Sequence, residues 1–310
     1  MNERGLTFVI IELLLGCFAV FCIAMMIGSR RTPHKKQIAV IVEDSESDVW
    51  VPLKEGAKEA ARENNVDIRF VTTGTFDNAA DQVNSVDEAV NDGCNALLVV
   101  PVNDRAAWLI KKKNYRIPVL LLISDSSCDM KSISINPREA GRKLAEMIMD
   151  DTDGALTVGF LTDRHGSRLT GQIRKETASI LEKAGYKEAF TKGGADQKFI
   201  KAHRSDILVC LTEESLSAAA DLAGQKRLSG VDVYGFGFAT EDVYQLDMEN
   251  IKGLAYPDIF RTGYYGVKEM TARLNGDPLK PKSRVIRTRS LRKEDIFENK
   301  EIMYIISRRS

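Results

Sequence analysis

The stretch "QIAVIVEDSESDVWVPLKEGAKEAAREN" (residues 37–64) decides how the rest of the chain is read. Its opening run, 37–42, is short and almost wholly apolar, as expected of a strand buried on both faces of a parallel sheet. Residues 51–64 then place Leu53, Ala57, Ala60 and Ala61 on one face of a helix. Between them lies a polar corner holding one large aromatic, Trp50. Among acidic and small polar residues, that ring has two readings, a wall of the core or a platform for a ligand.

Outward from this unit the alternation repeats. Strands are expected at 67–73, 95–100, 118–123, 131–135, 155–161, 188–191, 206–211, 231–236 and 251–255, with amphipathic helices at 78–91, 137–149 and 168–184. Such βαβ alternation implies doubly wound layers with right-handed crossovers. It runs too long for one ordinary sheet, and it restarts. "VNDGCNALLVVPVND" (90–104) and "AHRSDILVCLTEES" (202–215) share one plan of helix end, polar turn, apolar strand and polar loop. The fold class is therefore α/β, two doubly wound parallel-sheet lobes in series.

Ligands of open α/β sheets bind beyond the carboxyl ends of the strands. The loops there are 43–50, 101–104, 124–129, 162–171, 212–215 and 237–240, rich in Asp, Ser, Thr and Arg. They suit a polar small molecule. The same residue types are also the preferred helix N-caps, so each single position keeps both readings.

Composition narrows the function classes. Lys+Arg and Asp+Glu are equal at 44 each, leaving no net charge to draw nucleic acid. The five cysteines form no CxxC, and the three histidines have no ligand spacing, so neither a disulfide framework nor a metal site is indicated. No phosphate-binding or dinucleotide glycine loop occurs. Asp163, His165 and Ser167 are a local cluster rather than a triad. A binding protein without cofactor is expected rather than an enzyme.

Residues 6–28 are apolar apart from Glu12. As a helix they would span about 34 Å, enough for a hydrocarbon core of about 30 Å. "LLGC" (14–17) loosely resembles a lipoprotein cleavage box, but the apolar run continues well past Cys17, so an uncleaved single-pass anchor is expected. Arg30, Arg31, Lys35 and Lys36 follow in a basic linker, and by the positive-inside rule they would hold the globular part in the cytoplasm.

The order "QIAVIVEDSESDVWVPLKEGAKEAARENNVDI", "AVNDGCNALLVVPVND", "IPVLLLISD", and later "DVYGFGFATEDV" and "IFRTGYYGVKEM" (259–270), resembles the ribose/galactose-type periplasmic binding proteins. Lac-repressor-type regulators share that lobe, but residues 6–28 stand where their helix-turn-helix would be. The resemblance implies two lobes closing on a ligand, with crossings near 135, 256 and 284. Lobe 1 would comprise 37–135 and 257–283, and lobe 2 would comprise 136–256 and 284–290. The anchor (1–28) and linker (29–36) would precede them and a tail (291–310) would follow. It implies ligand-binding roles for Asp48, Trp50, Asp125, Ser126, Arg168, Thr170, Thr212 and Phe238, with Trp50 stacking on a sugar ring and Asp125 accepting hydroxyls. Departures from the pattern are Val49 for an aromatic, Ser126 and Thr170 for arginines, Thr212 for an asparagine and Gly237 for an aspartate. The segment from Gly194 to Ser205 is short, so a stunted helix is expected there.

"SLRKEDIFENKEIMYIIS" (290–307) resembles the tail of anchored Gram-positive binding proteins that accompany sensor histidine kinases. That places the globular part outside the cell, against the flanking charges; long domains translocate largely regardless of such charge. The expectation is an anchored solute-binding protein for a sugar-like molecule, serving as co-receptor of a membrane histidine kinase. The alternatives are the binding component of an ABC importer with its permease, or a ligand-free interaction module with a degenerate pocket.

Overall fold

The computed structural model describes residues 13–21, 35–124, 128–164, 167–237, 239–277 and 284–298. Residues 13–21 are helical and belong to a unit separate from the one that begins at Gln37. Among the described residues no helix is long and apolar enough to cross a membrane. The remainder of the apolar run at 6–28, most of the basic linker and the tail from 299 onward lie outside the described residues.

From Gln37 the chain alternates as its apolar runs require. The first lobe contains β1 (Gln37–Ile41), a single 3₁₀ turn (Asp48–Trp50), α1 (Val51–Asn64), β2 (Asp67–Phe70), α2 (Ala79–Asn91), β3 (Ala96–Val99), α3 (Asp104–Lys113), β4 (Val119–Leu122) and β5 (Ser132–Ile135). The second contains α4 (Pro137–Asp151), β6 (Thr157–Thr162), α5 (Arg168–Lys183), β7 (Lys187–Gly193), α6 (Gln197–Ala202), β8 (Ile207–Cys210), α7 (Glu213–Gly224), β9 (Asp232–Phe236), α8 (Thr240–Asp247) and β10 (Gly253–Pro257). The chain then returns through α9 (Ile259–Leu274) and ends in β11 (Arg284–Ile286), β12 (Thr288–Leu291) and α10 (Asp295–Glu298). Every expected strand is present, the last shifted from 251–255 to Gly253–Pro257.

The first sheet runs β11-β5-β4-β3-β1-β2 and the second β12-β10-β9-β8-β6-β7. The two orders are the same pattern written twice, and all pairs are parallel except β10 with β12. The matching segments at 90–104 and 202–215 supply β3 and β8, which hold the same place in each sheet. Both strands are buried along their whole length. Alternate residues of β1 feed opposite cores: Ile38 and Val40 face α1 and α9, while Ala39 and Ile41 face the α2 and α3 side.

The chain passes between sheets after β5, after β10 and at Arg287. The third crossing falls later than the expected position near 284. Arg284–Ile286 pairs in parallel with β5 of the first sheet, and only from Thr288 does the chain pair with β10 of the second. Segment 284–286 therefore lies in the first sheet rather than with 287–290.

Local chemistry sets the helix ends. Asn78 caps α2 in a reciprocal box with Asp81, Asn136 caps α4 ahead of Pro137, and Asn65 and Asn114 close α1 and α3 in the left-handed conformation. The helix in the short 194–205 segment is indeed small, six residues in α6. Two helix pairs approach backbone to backbone. α1 meets α9 at Gly56 and Gly263, where an added Cβ would lie 1.9 Å from the Phe260 carbonyl oxygen and 2.1 Å from the Leu53 carbonyl oxygen. α4 meets α5 at Gly141, whose carbonyl accepts from the buried Thr177 hydroxyl at 3.1 Å.

Candidate functional site between the two sheet rims

In each sheet the order reverses direction at one place, between β1 and β3 in the first and between β6 and β8 in the second. Crevices at such switch points are where open α/β sheets take ligands. The polar corner 43–50 follows β1 and so sits at the first switch point. Its 3₁₀ turn comes within 8 Å, Cα to Cα, of α8 in the second lobe, so the two rims meet here.

The first rim is held by hydrogen bonds between its loops. Ser45 is buried, and its hydroxyl accepts the Thr73 amide at 2.9 Å. The Glu43 carboxylate accepts the Phe76 amide at 2.9 Å. Buried Gln82 on α2 donates to the Val100 carbonyl at 2.8 Å and accepts from the Val102 amide at 3.0 Å, fixing the loop after β3. Ile123, which follows β4, has φ of +52°, a strained conformation for a β-branched residue.

Trp50 is half-buried against the core, and its indole N–H donates to the Glu43 carbonyl at 2.7 Å. Both readings of this ring thus have a physical basis: it packs on the core and stays partly exposed in the turn that follows β1. Asp48 is exposed in the same turn.

In the second rim, Asp163 accepts the Ser167 amide at 2.8 Å and the Thr170 hydroxyl at 2.5 Å. It therefore ties down the start of α5, and Thr170 is buried beneath it. Arg168 is exposed on the first turn of that helix. Thr212 caps α7, exchanging hydrogen bonds with Ser215. Asp125, Ser126, His165 and Phe238 lie outside the described residues. Among the described residues, no group of three or more histidine, cysteine or acidic side chains converges as a metal site.

Sequence reasoning passed over an acid pair in this rim. Asp242 on α8 is 2% exposed and accepts the Ala239 amide at 3.0 Å. A Cβ at position 237 would lie 2.2 Å from the Asp242 Oδ2 atom, so this carboxyl fills the space that a side chain on Gly237 would take. Burial, then the neighbouring Glu213 charge, holds Asp242 well above the usual carboxylate range, and Asp242 donates to Glu213. Burial also raises Glu213, aided by Glu241, although the bond from Asp242 opposes this. The one local clue was the glycine where the resemblance has an aspartate.

The pair makes stability depend on pH. An acid whose folded pKa exceeds its unfolded value of about 4 stabilises fully below that value. The contribution is lost as pH rises through the folded pKa. Wild-type stability in urea unfolding is expected to fall across that range. Asp242→Asn keeps an N–H for Glu213 and carries no charge, so its profile is expected to be flatter. Equal pH slopes in both proteins would contradict the assignment.

The fold is shared with solved sugar-binding proteins. GanP, a glucose-galactose binding protein from Geobacillus stearothermophilus, is 18% identical, with a TM-score of 0.73 over 84% of this chain and 99% of its own. An ABC transporter solute-binding protein from Burkholderia graminis in complex with D-arabinose is 18% identical, with a TM-score of 0.76 over 86% and 99%. XylFII in the XylFII–LytSN complex is 15% identical, with a TM-score of 0.72 over 85% and 100%. No curated protein matches in sequence. At these identities the structures establish the fold alone. The family assignment rests on the sequence itself: residues 38–278 match the model of the periplasmic binding protein domain. With most of the chain covered by that match, the protein belongs to the periplasmic binding protein domain family.

Proposed function

We propose that the protein is a membrane-anchored, extracytoplasmic solute-binding protein that holds a sugar-like polar molecule between its lobes and acts as co-receptor for a membrane histidine kinase. The observation that carries this reading is the approach of the Trp50 turn to α8, which brings the polar rims of the two sheets together. Trp50, Asp48 and Arg168 would line the site from the described residues. Asp125, Ser126 and Phe238 would complete it, and Thr170 and Thr212 would shape it through the caps they form. The apolar run at 6–28 would supply the anchor.

Similar folds bind glucose, galactose or arabinose, which supports a sugar-like ligand. The XylFII–LytSN complex is a case of this fold assembling with a second protein, and the tail at 290–307 supports a kinase as that partner here. The second reading, a component of an ABC importer, is favoured by the transporter origin of the arabinose-bound neighbour.

A thermal-shift panel of aldoses, inositols and other polyols on the full-length chain tests the ligand class. A ligand at 100 times its Kd adds about 2.7 kcal/mol of stability. At least one sugar or polyol is expected to raise the transition, and a flat response to the whole panel would overturn the reading.

A further inference from the structure

At the opposite end of the second sheet, where β6, β8 and β9 begin, lies a cavity of about 510 Å³. The four residues of β8 place it roughly 15 Å from the rim described above. Ile200 and Lys201 of the six-residue α6 line one part of it.

Lys201, Arg204, Lys226 and Arg227 line the cavity, and none of them has an ion pair or side-chain hydrogen bond among the described residues. One carboxylate is present, Asp206, already occupied by the Thr157 amide and hydroxyl, each at 2.7 Å. Ser205 also lines the cavity; it is 7% exposed, and its hydroxyl makes no hydrogen bond among the described residues. The turn at 226–230, which lines the cavity, is bent by positive φ at Lys226 and Gly230, and the amides of Leu228, Ser229 and Gly230 have no backbone acceptor. Successive free amides in such turns form anion-binding concavities. Guanidinium forks add paired donors that match oxyanions.

We propose that this cavity is a second binding site, separate from the interlobe site, for a small polyvalent oxyanion of the phosphate or polycarboxylate class. The unpartnered Ser205 hydroxyl, four cations without an ion pair and a turn whose amides lack backbone acceptors together present many donors against a single carboxylate.

Calorimetric titration of the full-length chain with pyrophosphate and with citrate, at ionic strength held constant with sodium chloride, tests this. Saturable sub-millimolar binding of at least one is expected, weakened at least tenfold in the Arg204→Ala/Arg227→Ala double variant. Ser205→Ala alone, which leaves every charge in place, is expected to weaken it severalfold and separates a built site from diffuse attraction. Arg204 and Arg227 are exposed, so an unchanged unfolding midpoint is expected for the double variant; should it unfold, the Ser205→Ala comparison decides. No saturable heat with either anion, or affinity unaltered by these substitutions, would overturn the proposal.

Discussion

Gly56→Ala is expected to lower the thermal midpoint by roughly 5–10 °C, a loss of about 3 kcal/mol. On an exposed helix the same change would stabilise by about 1 kcal/mol, because alanine is the better helix former. Here the new methyl would lie 1.9 Å from the Phe260 carbonyl oxygen, and the obstacle is backbone, which cannot rotate aside. α1 and α9 would have to separate, and with them the buried contacts of Leu53, Ala57 and Val267. Gly263→Ala meets the Leu53 carbonyl from the other side and is expected to behave alike. Because both changes relieve themselves by the same separation, the double variant should cost less than the sum of the two. A midpoint equal to wild type in either single variant would mean the helices are not packed so closely.

Trp50→Ala is expected to act twice. Removing a half-buried indole that packs on the core and donates to Glu43 should cost about 2 kcal/mol of stability. On the proposed function it should also weaken sugar binding by about 30-fold, the loss of about 2 kcal/mol typical of an aromatic anchor. Trp50→Phe separates the two effects, since it keeps an aromatic face and gives up the N–H. Partial recovery of both binding and stability is expected. If Trp50→Ala loses stability and binds sugar as wild type does, the ring is a wall of the core and no more.

The ten strands of the two repeated units were readable because buried parallel strands need continuous apolar runs, and QIAVIV, ALLV and ILVC are such runs. The duplication was readable because β3 and β8 need the same flanking chemistry. β11 and β12 escaped notice: RVI and TRSL are short and partly polar, and they become strands only by pairing with β5 and β10. That is why the last crossing was placed early.

The site was less legible. Trp50 stood out as the only large aromatic in a polar corner. Thr170 and Thr212 have types that serve caps and ligands equally, and their bonds to Asp163 and Ser215 form only in the folded loops. Asp242 was hidden because its role depends on meeting Glu213, which is remote in sequence, and on the space left open by Gly237.

The central claim is that a small polar molecule is gripped by both lobes at once. Hydrogen–deuterium exchange of the full-length chain, with and without a sugar that raises its thermal transition, tests this most directly. Slower exchange is predicted on both rims together, at 43–50 in the first lobe and at 211–214 and 237–242 in the second. Protection confined to one lobe, or found away from both rims, would contradict it.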